Sequence, residues 1–233
     1  MKTNILSRID FESHYYITES HERLNGLINY LAIMDTQVEH IEIEQSEQLK
    51  KDLETIPNSW SDSDQYSFIQ WRENEYQQFK STFAESFRYS FIVLVWLVVE
   101  DELKRVCIEI QRRKELAPQK WKSNGVFVQC KEILKKVAGV SVENVAHWSS
   151  ICDLQKIRDC IVHTSGFVND SRDKDYLKKL VEGKRFNLQI DDYDGRLRIT
   201  TEFCKLAVQS TTEFFAEIFD GAGIKILKES EKN

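Results

Sequence analysis

Apolar residues return every three or four positions along most of this chain, which is the period of a helix with one buried face. Between residues 20 and 55 the recurring set is Leu24, Leu27, Ile28, Leu31, Met34, Val38 and Ile41. Pro57 and the polar run "NSWSDSDQ" then supply a loop with capping residues. The pattern predicts a second long helix over residues 64–116, with the stripe Phe79, Phe83, Phe87, Phe91, Leu94 and Val98, and with Pro118 as its stop. Around "FIVLVWLVV", residues 91–99, the helix turns apolar on all sides, as the central helix of a bundle must.

Glycines then divide the chain into shorter units. Gly125, Gly139 and Gly166 bracket helices expected over residues 126–138, 145–164 and 171–182. The period changes from helical to alternating in "RFNLQID" and "RLRIT", which flank "DYDG" and so predict a β-hairpin. Thr200 or Thr201 caps a last helix ending near residue 219, and "KESEKN" closes the chain as a polar tail. These elements predict a mainly all-α fold: a helical bundle with long N-terminal helices and a small hairpin before the last helix.

Composition narrows the class. The chain has 233 residues, 41% of them hydrophobic, enough for one sizeable core and too many for a disordered chain. The nine-residue apolar run is under half the length needed to cross a bilayer, and "MKTNILSRIDFESHYY" lacks the apolar core of a signal peptide, so the expected location is the cytoplasm with no membrane contact. Cys107, Cys130, Cys152, Cys160 and Cys204 contain no C-x-x-C pair; they read as small buried hydrophobes, with neither metal nor cofactor expected.

Net charge is −6, yet unevenly spread. Residues 1–100 carry 8 Lys/Arg against 17 Asp/Glu, whereas residues 103–136 carry 10 against 3. That stretch is either a face for phosphates or an ordinary solvated helix surface.

Chemistry concentrates in "IRDCIVHTSG", residues 157–166. Asp159 and His163 are four apart and share a helix face, while Arg158 lies roughly 140° around from His163. Gly166 is placed to end the helix, so the group sits where the helix dipole favours a cation. An imidazole titrating near ~6.5 can move a proton to or from a ribose hydroxyl, a guanidinium can hold phosphate oxygens, and a carboxylate can orient either one. The same three residues also fit a satisfied polar patch on a core helix. One histidine cannot serve as both acid and base, so catalysis would need a second copy of the chain.

The segment "LQKIRDCIVHTSG" resembles the signature of the HEPN superfamily, R-[N/D/H]-x3-H, and "FRYSFIVLVWLVVEDELKRVC" is similar to the first core helix of HEPN proteins found beside bacterial defence and toxin systems. With the hairpin and last helix the resemblance spans residues 79–219. It implies one HEPN-like domain with residues 1–60 as a helical extension and residues 226–233 as a disordered tail. It implies further a homodimer joining two motifs in one cleft, and metal-independent cleavage of RNA in a toxin–antitoxin or phage-defence setting, with an antitoxin or defence protein as partner. Arg158 and His163 become the catalytic residues and Asp159 the supporting one. Asparagine is commoner than Asp159 there, so the resemblance implies that Asp159→Asn retains or raises activity. A catalytically inactive HEPN-like interaction module and a purely structural helical dimer are the rival readings. Glu100 and Glu102 are expected where the helix surfaces into solvent, Trp148 beside His147 as packing, and His14, His21 and His40 without a role.

Overall fold

The computed structural model describes residues 3–117, 120–121, 125–184 and 186–224, with side chains from residue 16 onward except 80 and 81. The expected tail at 226–233 and the expected stop at Pro118 lie outside the described residues. The chain is 77% helical, with six α-helices and one two-stranded sheet among the described residues. The mainly all-α architecture follows the hydrophobic period.

Helix α1 runs Thr3–Glu54 and α2 runs Asp62–Arg113. They form an antiparallel pair, because Arg23 meets Glu102, Tyr30 stacks on Phe91 and Arg72 meets Asp52. Ser61 starts α2 by accepting a hydrogen bond from the Asp64 N–H at 3.2 Å. Helix α1 begins well before residue 20, since Ile17 and Ser20 extend its buried face and Tyr16 packs edge-on against Phe219. Helix α2 stops at Arg113, ahead of the expected boundary, because Glu115 turns the backbone into the left-handed region at φ 54°.

Helix α3, Val126–Ile133, widens into a π turn over Leu134–Ala138 and ends at Gly139. Helix α4 is Trp148–Thr164, α5 is Lys174–Glu182 and α6 is Thr201–Gly221. Both α4 and α5 begin three residues later than the sequence suggests, since short 3-10 turns at Val142–Asn144 and Val168–Asp170 occupy the approach to each. Strands β1, Gln189–Ile190, and β2, Leu197–Arg198, form the expected hairpin with Gln189 opposite Arg198. Thr200 caps α6 by accepting from the Phe203 N–H at 3.1 Å.

The apolar run of α2 is the centre of the molecule. Phe91, Ile92, Val95, Trp96, Val99 and Leu103 are fully buried among side chains of α1, α3, α4 and α6, and these form one continuous core. The stripe expected at Phe79, Phe83 and Phe87 is not core: Phe83 is exposed, stacked on Phe79 and tilted against Phe87, which stacks on Tyr30. No helix among the described residues is long and apolar enough to cross a membrane.

Candidate functional site

Helix α4 delivers the motif because its inner face is apolar and its far end is closed by backbone geometry. Ile151, Leu154, Ile157, Cys160 and Ile161 are buried, which fixes the rotation of the helix. At its end Ser165 and Gly166 both take positive φ, 52° and 86°, and both N–H groups reach the Cys160 carbonyl. Gly166 has a second reason to be glycine. A Cβ there would overlap the Tyr89 ring, whose hydroxyl donates to the Leu197 carbonyl at 2.7 Å and ties α2, the end of α4 and the hairpin together.

Lys156, Asp159 and His163 then lie on the face of α4 that looks toward α5. Asp159 is the buried member, its side chain only 7% exposed. One of its oxygens accepts from Arg158 Nη1 at 2.7 Å and the other from Arg172 Nη2 at 2.5 Å. Arg172 also reaches Asp173 at 3.3 Å, and Asp173 accepts from Lys156 Nζ at 2.8 Å. The result is a chain of alternating charge, Arg158–Asp159–Arg172–Asp173–Lys156. Burial by itself would raise the Asp173 carboxyl, but the Lys156 ammonium and the Arg172 guanidinium outweigh it and hold that carboxyl below its ordinary value.

The geometry reassigns the expected partners. Asp159 does not hold the imidazole: among the described residues no hydrogen bond joins it to His163, and both carboxylate oxygens go to guanidinium groups. Arg158 curls back over the helix, its guanidinium 5.7 Å from the Trp96 ring centre and its side chain 23% exposed. His163 is exposed. It lines a cavity of about 350 Å3 with Asp159, Thr164, Asp170, Ser171 and Arg172. Arg158 belongs to the wall behind that cavity, through Asp159, and does not line it.

Arg172 is the member that sequence reasoning missed. The pattern placed it inside a helix starting at residue 171, where it would have pointed along α5. In the structure α5 starts at Lys174, and the Ser171 hydroxyl accepts from the Asp173 N–H at 3.2 Å. That turn frees Arg172 to fold back on Asp159. The only sequence signal was the charge run "DSRDKD", residues 170–175, in which Arg172 lies nine residues after His163.

Other candidates settle into structural roles. Glu102 does not surface: it is fully buried and accepts from Arg23 at 2.6 Å, with Arg105 and the Tyr16 hydroxyl beside it at 3.4 Å. Trp148 stacks on Phe127 at 5.3 Å with Lys131 over its face, and His147 pairs with Glu213 at 2.6 Å. His40 lies against Glu44 on the exposed side of α1. Half of the basic stretch is spoken for, because Arg105 pairs with Glu19, Arg112 and Arg113 with Glu109, Lys131 with Glu143 and Lys136 with Glu132. The five cysteines are free thiols, four of them buried and Cys152 half-buried.

No family model, curated protein or solved structure matches the chain.

Proposed function

We propose that this protein is a HEPN-type endoribonuclease that cuts RNA without a metal, in a toxin–antitoxin or phage-defence setting. The observation that carries the reading is the end of α4. An exposed histidine there shares a cavity with a buried aspartate that is locked to two guanidinium groups, on a segment that resembles the HEPN signature. In the proposed reaction the His163 imidazole of one chain takes the proton of a ribose 2′-hydroxyl, and the oxygen attacks the adjacent phosphorus. The bond to the 5′-oxygen breaks, that oxygen takes a proton from the protonated His163 imidazolium of a second chain, and a 2′,3′-cyclic phosphate remains. Arg158 and Asp159 support the site, the aspartate by fixing the guanidinium groups and the arginine by adding positive charge behind the cavity. The reading requires a homodimer with both α4 ends near the two-fold axis.

The test is incubation of the purified protein with total RNA in excess EDTA. Cleavage by the wild type and a loss of roughly a hundredfold or more in His163→Ala, with the melting temperature held within a few degrees, is the expected result. Intact RNA with both proteins would discard catalysis. It would favour the interaction module, which the saturation of Asp159 by two cations also supports, since that pairing lowers the free positive charge at the site.

A further inference from the structure

We infer that Arg172 is the residue that grips a substrate phosphate beside His163, moored in place by Asp159. The inference rests on the ribonuclease reading, in which an RNA strand lies across the cavity at the end of α4. Three observations carry it. First, Arg172 and His163 line the same cavity, and Arg158 does not. Second, Arg172 is 70% exposed while its guanidinium is anchored at two points, Nη2 on Asp159 and Nε on Asp173. Its Nη1 has no partner among the described residues, so a donor group is left on a side chain whose position is already fixed. Third, Arg158 has spent its own freedom elsewhere, on the Trp96 ring and on Asp159.

Bulk charge does not do this work. Lys156, Arg158 and Arg172 face Asp159 and Asp173, and Asp170 at the rim adds a third carboxylate to the three cations. A neutral cleft draws a phosphate through one oriented donor rather than through its field, because a charge-assisted N–H bond to a phosphate oxygen survives where the net potential is small. The cavity volume of about 350 Å3 falls within the range of small-ligand sites and suits a single nucleotide unit. The family motif names an arginine; here the guanidinium within reach of substrate comes from the loop before α5.

The experiment measures binding apart from cleavage. A short fluorescein-labelled single-stranded RNA with 2′-O-methyl groups cannot be cut by hydroxyl attack and reports affinity by anisotropy across a salt series. Arg172→Ala should weaken binding by about tenfold and reduce the slope of log affinity against log salt by about 0.7 to 1, with the melting temperature lowered by a few degrees through the lost bond to Asp159 and the protein still folded at the assay temperature. Arg172→Lys should restore the slope but only part of the affinity. On cleavable RNA the same alanine should raise KM more than it lowers kcat. Equal affinity and slope in Arg172→Ala and wild type, or a change of slope found in Arg158→Ala instead, would overturn the inference while leaving cleavage by the wild type intact. An arginine-dependent slope in a protein that never cuts natural RNA would retain Arg172 as the phosphate contact and discard the nuclease. A wild type that does not bind the methylated RNA would sink both.

Discussion

The two halves of α2 share one unbroken helix and almost nothing else. From Asp62 to Phe83 none of the described side chains is buried, and Trp71 is 56% exposed. From Phe91 to Ile110 ten side chains are buried in the core. In the first half Arg72 ties α2 to Asp52 of α1, while the other contacts are local to α2 and the loop before it: Arg72 with Glu75, Trp60 edge-on to Phe68 at 5.6 Å, and Phe79 stacked on Phe83 at 5.5 Å. Such contacts contribute a few tenths of a kcal/mol each, whereas burying one large side chain contributes about 1.5–3 kcal/mol. Helical period therefore makes a helix continuous, and neighbours alone make it stable. Charge divides the same way. Residues 35–75 hold eleven Asp/Glu against three Lys/Arg, so this arm repels polyanions.

The sharpest way to break this comparison is to empty one tryptophan site in each half. Trp96→Ala removes a fully buried ring and the surface on which Arg158 rests, so a loss of about 3–5 kcal/mol is expected in denaturant titrations. Trp71→Ala should stay within about 0.5 kcal/mol. Equal losses would mean that the arm is packed against something the isolated chain does not contain.

A smaller effect separates the two sets of ion pairs. Asp159→Asn leaves Arg158 and Arg172 facing an amide that can accept from only one of them, and should cost on the order of 2 kcal/mol. If Arg172 grips the phosphate as proposed, Asp159→Asn should lower RNA cleavage, since it loosens Arg172; the commoner HEPN asparagine implies the opposite, and the cleavage assay decides between them. The corresponding change in the arm, Asp52→Asn, should leave the melting temperature unmoved.

The smallest expected effect is a pH dependence. Asp173 has a folded pKa below its unfolded value, so the stability it contributes is complete above the ordinary carboxylate pKa near ~4 and is lost as pH falls through the lower, folded value. Melting curves recorded from about pH 6 to pH 2 should show an acid limb that flattens in Asp173→Asn. Asp52 is also lowered, by its bonds from Gln48 and Arg72, but it is a half-buried group at the surface of the arm and its replacement should change that limb less. An unaltered limb in Asp173→Asn would mean that the Lys156–Asp173–Arg172 links do not hold the α4–α5 corner.

Most of the architecture was readable before any coordinates, because a period of 3.6 or 2 reports which face meets a core whatever that core turns out to be. The two long helices and the hairpin follow from it directly, and residue type placed the last cap at Thr200 or Thr201, of which the structure uses Thr200. Boundaries failed where the backbone made a choice of its own: Glu115 and His147 take positive φ without being glycine, and nothing in the pattern distinguishes them from helical residues. Glu102 failed for another reason. A carboxylate after an apolar run reads as the point where a helix meets water, and only the approach of α1, with Arg23 and Tyr16, makes it a buried anchor.

The motif shows the same division. Spacing along α4 determined that Asp159 and His163 share a face and that Arg158 must curl around to join them, because helix geometry is local and fixed. Tertiary structure alone decided which cation stands beside the histidine. Arg172 is thirteen residues from Asp159, and its place depends on a turn at Ser171, on the start of α5 and on a buried carboxylate with an oxygen to spare. Electrostatic pairing acts through space, and one-dimensional periodicity carries no record of it.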